Sequence, residues 1–545
     1  MTLVPVPRPC GQGTGTDGRG SGIVKMSHAA VVIRNASFDS ESPTTGNGGE
    51  DRAGNSQFKW VLACGLLFQL AVITYFYLQM DTAIGRLMPD DAFYYLNIAR
   101  NIRLGHGSAF SPGEPTNGYH PLWMAILVII QFLFNPSAKP FVGCTMLLAV
   151  SCNAAAALAL RSLLTQVGAS ARQVALGALL YLLSPWTVNL TLTGLETPLF
   201  FACFFAFLQV VASIVKQPAV LRQQWIRLGV AAGLLMLART DTVFFTLPAF
   251  AYLFWIGRAA ALKPLLGSGV LASLLLAPWL IWSQLTFGSI VQCSGVAMAA
   301  LTHSQMPPPP SVGYFRAAFY NWHYSLYRLF FAPFLHPKDY GRPDDFWRWV
   351  NIAMLVGLCI PILRNVLRGS TRVMSLFAWY LPCLLLCIFY FGVRIYVQVW
   401  HLAPVLGVAV LALSQTSRLQ FLSSRMLVVS AVCLIGITSF TLTSCYFYPQ
   451  QKAGLPGVAM HFLPDAPEPM RIGATDCGYM GYFSKHTFVN LDGVVNNRAF
   501  RSIMDGRFSD YVATQHFDSL WVEKERYVFY DRNLPGGGPG RRAAN

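Results

Sequence analysis

The chain has 545 residues, of which 54% are hydrophobic and only 12% are charged, and its mean hydropathy is +0.45. Soluble domains carry about twice that share of charge, so a globular enzyme held by a single anchor is excluded, and the apolar runs that recur along the chain point to membrane-spanning helices. The net charge of +16 does not signal a nucleic-acid partner, because Lys and Arg cluster in short loops between apolar runs, where topology accounts for them.

Residues 1–57 are rich in Gly, Ser, Thr, Pro and Asn and lack apolar periodicity. They read as a disordered tail, too long and too polar for the start of a signal peptide. The span at 60–80 is then an uncleaved signal anchor that leaves the tail in the cytoplasm. A first outer loop follows, at 81–121. The apolar run 122–134 is too short to cross a bilayer comfortably and is expected to stay outside as a re-entrant or juxtamembrane helix.

Spans at 141–164, 174–188, 199–215, 228–237, 243–256 and 265–285 then alternate in direction. A long polar loop, 286–345, lies outside. Spans at 346–363, 376–392, 397–413 and 426–445 bring the count to about eleven. On this count Arg161, Arg172, Lys216, Arg222, Arg227, Arg258, Lys263, Arg364, Arg368, Arg372, Arg418 and Arg425 all face inward. Counting 122–134 as a span would turn Arg222, Arg227, Arg364 and Arg368 outward, against the positive-inside rule.

Residues 446–545 form a soluble outer portion. Its strand-like stretches at 471–475 and 487–491, with a turn and short helix between them, suggest a small α/β domain. The expected fold class is an all-α polytopic membrane protein with about eleven transmembrane helices (module 58–445) and an extracytoplasmic α/β C-terminal domain. Cys64, Cys144, Cys152, Cys203, Cys383 and Cys387 lie within spans and read as small apolar residues. His303, His323 and His336 lack metal-ligand spacing, and Pro307–Pro310 reads as a stiff polyproline stretch.

The polar residues that remain fall on the outer side: Asp90 and Asp91, Asn117 and His120, Glu196, Arg239 and Asp241, Arg394 and His401. Ionisable groups at membrane depth are costly and mark a site. Their convergence on one face argues for a reaction there on a lipid-borne substrate, whereas a transporter would spread such groups through the midplane. Asp90 begins an amphipathic helix whose stripe is Phe93, Leu96, Ala99 and Ile102. Capping explains one carboxylate there. Two neighbours on a helix point to different faces, so the second is left for function.

Asp90-Asp91-Ala92-Phe93-Tyr94-Tyr95, Gly105-His106-Gly107 and Thr116-Asn117-Gly118-Tyr119-His120-Pro121-Leu122-Trp123 together resemble the first outer loop of GT-C-fold membrane glycosyltransferases. The likeness is to bacterial members. Protein O-mannosyltransferases, the aminoarabinose transferase of lipid A and arabinofuranosyltransferases are similar at a greater distance. Thr193-Gly194-Leu195-Glu196-Thr197, Leu237-Ala238-Arg239-Thr240-Asp241 and Asn490-Leu491-Asp492-Gly493-Val494-Val495-Asn496 support it.

The resemblance implies a GT-C-like fold in the inner (plasma) membrane. It also implies a sugar donor linked to polyprenyl phosphate, and an acidic residue of the first outer loop as base on the extracytoplasmic face. The acceptor class is an envelope glycan, lipid or protein.

The chemistry fits independently. A carboxylate must take the acceptor proton, positive charge must receive the leaving phosphate, and one base suffices for a single inverting displacement of a hexosyl or pentosyl group. Asp90 and Asp91 are the catalytic candidates, with Asp90 preferred because it precedes the helix and is free to point into a cavity. Arg394, Arg239 and His401 are candidates for the phosphate, with Arg suited by its bidentate fork. Asn117, His120, Glu196 and Asp241 complete the substrate-binding set. Glu196 also suits a divalent cation, Mg²⁺ or Mn²⁺. Tyr94, Tyr119, Trp123 and Trp186 are candidates to stack on sugar faces. The alternative readings are a flippase or transporter for a lipid-linked sugar and a non-catalytic envelope scaffold.

Overall fold

A computed structural model describes residues 31–32, 48–80, 88–217, 219–305, 374, 376–393, 398–415, 423–446 and 468–522. Arg394, the span expected at 346–363, and His323, His336 and Pro307–Pro310 lie outside the described residues.

The membrane part runs through α1 (Gly48–Leu78), α2 (Asp90–Arg103), a short hairpin of β1 (Ala109–Ser111) and β2 (Glu114–Pro115), α3 (Pro121–Phe134), α4 (Ala138–Gln166), α5 (Ala171–Leu182), α6 (Pro185–Leu192), α7 (Thr197–Lys216), α8 (Arg222–Ala238), α9 (Val243–Phe287), α10 (Cys293–Gln305), α11 (Leu381–Val393), α12 (Ala403–Ser414) and α13 (Ser424–Tyr446). Among the described residues five helices are long and apolar enough to cross a membrane, and the bent pair α5 and α6, meeting at 45°, makes a sixth. The count of eleven is finer than this, because α8, α11 and α12 are short and 346–363 is not described.

α9 is two helices in one. Its 45 residues would extend about 68 Å, twice the thickness of a hydrocarbon core. The chain reverses at Arg258, whose φ of 51° and ψ of −141° are not helical. The half after the break returns alongside α8. A side chain at Gly229 would place its Cβ 2.6 Å from the Ser268 carbonyl oxygen, so only glycine permits this approach.

Helix ends sort the charges. α7 starts next to Glu196 and ends at Lys216, and α8 starts at Arg222 and ends next to Arg239. Glu196 and Arg239 therefore share one end of the bundle, while Lys216, Arg222 and Arg258 share the other. α3, as expected, is a separate 14-residue helix with Phe132, Leu133 and Phe134 exposed.

The core combines apolar packing with one satisfied polar staple. Phe200, Phe201, Phe204 and Phe205 of α7 pack with Tyr181. Asn153 donates to Gln69 Oε1 at 2.9 Å and to Thr191 Oγ1 at 2.7 Å, and accepts from the Tyr181 hydroxyl at 2.7 Å. Such bonds link helices where apolar contact alone gives little preference over lipid.

The tail expected to be unstructured over 1–57 departs from that in two places. α1 begins at Gly48, and Val31–Val32 pairs antiparallel with Ala219–Val220. The cause is tertiary, and composition does not reveal it: Asn55 accepts from Arg161 at 3.0 Å, and Gln57 donates to Ser424 at 2.8 Å.

The C-terminal unit is built on three parallel strands, β3 (Arg471–Ala474), β4 (Thr487–Asn490) and β5 (Ser519–Trp521), in the order β4-β3-β5. α14 (Gly478–Phe483) connects β3 to β4, and α15 (Asn497–Met504) and α16 (Phe508–Thr514) connect β4 to β5. The unit sits on the first loop. Ser111 Oγ donates to the Phe488 carbonyl, and Arg100 donates to the Tyr482 carbonyl at 3.2 Å.

Candidate active site

The site is organised by α2. Pro89 enters in an extended conformation and Asp90 and Asp91 occupy the first turn, while Arg100 and Arg103 lie in the last, an arrangement that matches the helix dipole at both ends. Adjacent helical residues point about 100° apart and residues four apart share a face. Asp90 therefore goes with Tyr94 on one face, and Asp91 with Tyr95 on another.

The Asp90–Tyr94 face is fastened to the C-terminal unit. Asp90 Oδ2 accepts from the Gly478 amide at 2.7 Å and Oδ1 from the Tyr479 amide at 2.8 Å. The Tyr94 hydroxyl accepts from the Cys477 amide at 3.2 Å and from Asn490 Nδ2 at 3.1 Å. Asp90 thus does not point freely into a cavity, as its place ahead of the helix suggests. It is a cap, but for α14 rather than for its own helix. Burial raises its pKa against the lowering effect of the two amides.

Asp91 is in a different position. It is half-buried, and among the described residues no hydrogen-bond donor reaches its carboxylate. Burial, together with the negative charges of Asp90, Asp476, Asp492 and Glu196, pushes its pKa up to about 8. Asp492, buried and raised to about 6 by burial and by Asp476, accepts from the Val494 amide at 3.0 Å.

The Asp91–Tyr95 face meets a buried polar network. The Tyr95 hydroxyl donates to Glu196 Oε2 at 3.4 Å and accepts from the His120 amide at 3.0 Å. Glu196 Oε1 lies 3.5 Å from His120 Nε2 and 3.6 Å from Arg239 Nη1. Gln292 donates to the Tyr119 carbonyl at 2.9 Å and to His120 Nδ1 at 3.3 Å. The His120 ring proton is therefore on Nε2, toward Glu196. Burial lowers the His120 pKa, with Glu196 opposing.

Arg239, 1% exposed, donates to both oxygens of Asp241 at 3.1 and 2.6 Å and to the Trp400 carbonyl at 2.6 Å. The Tyr390 hydroxyl donates to Asp241 at 2.7 Å. His401 stacks on Tyr390 at 5.7 Å between centroids, and its Nδ1 accepts from the Gln398 amide at 3.0 Å.

These partners revise several roles expected from the sequence. The bidentate fork of Arg239 is bonded to Asp241, and the pair closes the tip between α8 and α9. Asn117, with no exposure, donates to Ser283 at 2.7 Å and accepts from the Cys293 amide and Asn497 Nδ2 at 3.0 Å each. Its polar atoms join three segments. Trp123 is in the core, and Tyr94 and Tyr119 are buried, so none of the three offers an open ring face.

His120 and Glu196 do come together with Tyr95 beside Asp91. Sequence reasoning missed Gln292 and Tyr390. Gln292 is a single polar residue beside an apolar run and Tyr390 lies within one, with no motif to mark either. No group of three His, Cys, Asp or Glu able to hold a metal ion occurs among the described residues.

Residues 449–541 match the sequence profile of a domain of unknown function (DUF8728). No curated protein matches the chain. Among solved structures, ArnT from Cupriavidus metallidurans bound to undecaprenyl phosphate is similar, with a TM-score of 0.52 at 12% identity over 85% of this chain and 93% of that one. The apo oligosaccharyltransferase of Archaeoglobus fulgidus is also similar (TM-score 0.43, 12% identity, 84% of this chain and 68% of that chain). So is the archaeal oligosaccharyltransferase AglB from the same organism, in complex with an inhibitory peptide and a dolichol-phosphate (TM-score 0.44, 14% identity, 84% and 68%). The chain has a GT-C-like fold, shared with the ArnT structure.

Proposed function

We propose that this chain is a glycosyltransferase that moves a hexosyl or pentosyl group from a polyprenyl-phosphate carrier to a hydroxyl of an envelope glycan, lipid or protein. The reaction takes place on the extracytoplasmic face of the inner membrane, with about eleven spans, a cytoplasmic N-terminus and the C-terminal unit outside. The observation that carries this reading is Asp91: a half-buried carboxylate without a hydrogen-bond donor among the described residues, beside a neighbour that is fully engaged. The fold adds support, since the similar ArnT structure contains undecaprenyl phosphate.

In this reading the acceptor oxygen attacks the anomeric carbon, the bond from that carbon to the carrier phosphate breaks, and its electron pair leaves with the phosphate. The acceptor proton passes to Asp91. A base whose pKa lies near the working pH accepts that proton far better than an ordinary carboxylate. Asp90, the base that the sequence favours, is bonded to the Gly478 and Tyr479 amides and holds the helix start. Tyr95 and Glu196 form the fixed wall next to Asp91, and the half-buried His120 of that wall is the proposed contact for sugar hydroxyls. Arg394 remains the proposed cation for the leaving phosphate, with Arg239 and His401 as the other candidates.

The test is transfer by the purified chain in proteoliposomes loaded with radiolabelled polyprenyl-phosphate sugars and envelope extract. The reading expects a glycosylated product of inverted anomeric configuration. Carrier movement across the bilayer without a product would replace the transferase with a flippase.

A further inference from the structure

We propose that the backbone amides of Gly478 and Tyr479, with the hydroxyl of Tyr94, form a clamp that positions Asp91 by fixing its chain neighbour Asp90. The proposal rests on the assignment of Asp91 as base. Its geometry comes from residues nearly 400 positions apart in the chain.

Four observations support the clamp. Both Asp90 oxygens are taken by consecutive amides at 2.7 and 2.8 Å. One helical turn on, the Tyr94 hydroxyl takes the Cys477 amide and Asn490, so the same face of α2 is held at two levels. The Phe93 ring meets the Tyr479 ring edge-on at 5.2 Å, which closes the interface with apolar contact. Finally, position 478 has no room for a side chain. A Cβ there would lie 2.3 Å from the Asp90 carbonyl oxygen and 3.1 Å from Asp90 Cγ. The contact involves main chain on both sides, so no rotamer change relieves it.

A helix start fixed at Asp90 leaves the next residue little freedom. Asp91 is carried about 100° round the helix, away from the clamp and toward Tyr95 and Glu196. The C-terminal unit therefore does more than cover the first loop: it sets the direction of the base. Gly478 and Tyr94 are positioning residues, because neither touches the reacting atoms in this reading.

The experiment compares full-length wild type, Gly478→Ala and Tyr94→Phe in the same lipid. Two readouts are taken: the transfer rate, and the pH profile of carbodiimide labelling at Asp91, which needs no sugar donor. Gly478→Ala is expected to lower kcat about a hundredfold, as an ångström-scale misplacement does, with donor KM unchanged. It should also shift the midpoint of Asp91 labelling. Tyr94→Phe keeps the ring and loses the hydroxyl, and should shift both readouts the same way by less, which covers the case in which Gly478→Ala does not fold. Folded variants with wild-type kcat and a wild-type labelling profile would overturn the clamp. A shifted labelling profile with no transfer by wild type from any carrier-linked sugar would keep the clamp and remove the transferase reading.

Discussion

If Asp91 carries the acceptor proton, the rate must follow its ionisation. The profile of kcat/KM against pH reports the free protein, so its acid limb should fall at the value set by the Asp91 surroundings, about 8, and not at the 4 of an ordinary aspartate. Below that limb the rate should drop about tenfold per pH unit, to about a tenth at pH 7 and about a hundredth at pH 6. The limb belongs to a set of interacting carboxylates, since Asp90, Asp476 and Asp492 all contribute charge, and coupled groups titrate together. Removing one of them should show. Asp476→Asn takes away a negative neighbour and should move the limb to lower pH. The assay is the initial transfer rate from labelled donor between pH 5.5 and 9.5 at subsaturating donor. A rate flat from pH 6 to 9, or a limb near 4, would refute the assignment of the proton to Asp91.

Three further outcomes follow from the same contacts. A carboxyl with a raised folded pKa stabilises the fold at pH below its unfolded value of 3.8 and loses that contribution as pH rises through about 8; thermal melts of Asp91→Asn should therefore fall less steeply from pH 5 to pH 9 than those of wild type. Asp241→Ala leaves the buried Arg239 guanidinium without its bidentate partner and should cost about 3–5 kcal/mol, read as a lower melting temperature in detergent, whereas a loss below 1 kcal/mol would show that the pair is not buried as described. Asn117→Ala strands the Cys293 amide and removes one donor from Ser283, whose hydroxyl keeps the Ser289 carbonyl, and should cost about 1–3 kcal/mol, read as a lower melting temperature in detergent.

The membrane class was legible because apolar runs and basic loops are local signals. The helix at 121–134 shows this well: its length kept it from being a span, and it appears as a separate helix with an exposed apolar face. The pairing of Arg239 with Asp241 is local too, since one residue separates the partners. The choice between Asp90 and Asp91 could not. It depends on amides at 478 and 479, and no pattern around residue 90 encodes a donor that far along the chain. The partners of Asn117 were hidden for the same reason: nothing in a Gly- and His-rich loop shows that Ser283, Cys293 and Asn497 use its polar atoms. The aromatic residues misled differently. Tyr94 and Tyr119 have the right chemistry for sugars, but their rings are packed and their hydroxyls bonded within the protein.

The central claim is tested most directly by Asp91→Asn and Asp90→Asn, assayed side by side for sugar transfer and for donor binding in the same proteoliposomes. The account predicts that Asp91→Asn binds donor as wild type does but transfers about 10²–10⁴-fold more slowly. Asp90→Asn, which retains one acceptor for the clamp, should keep measurable transfer. Wild-type transfer by Asp91→Asn would contradict it.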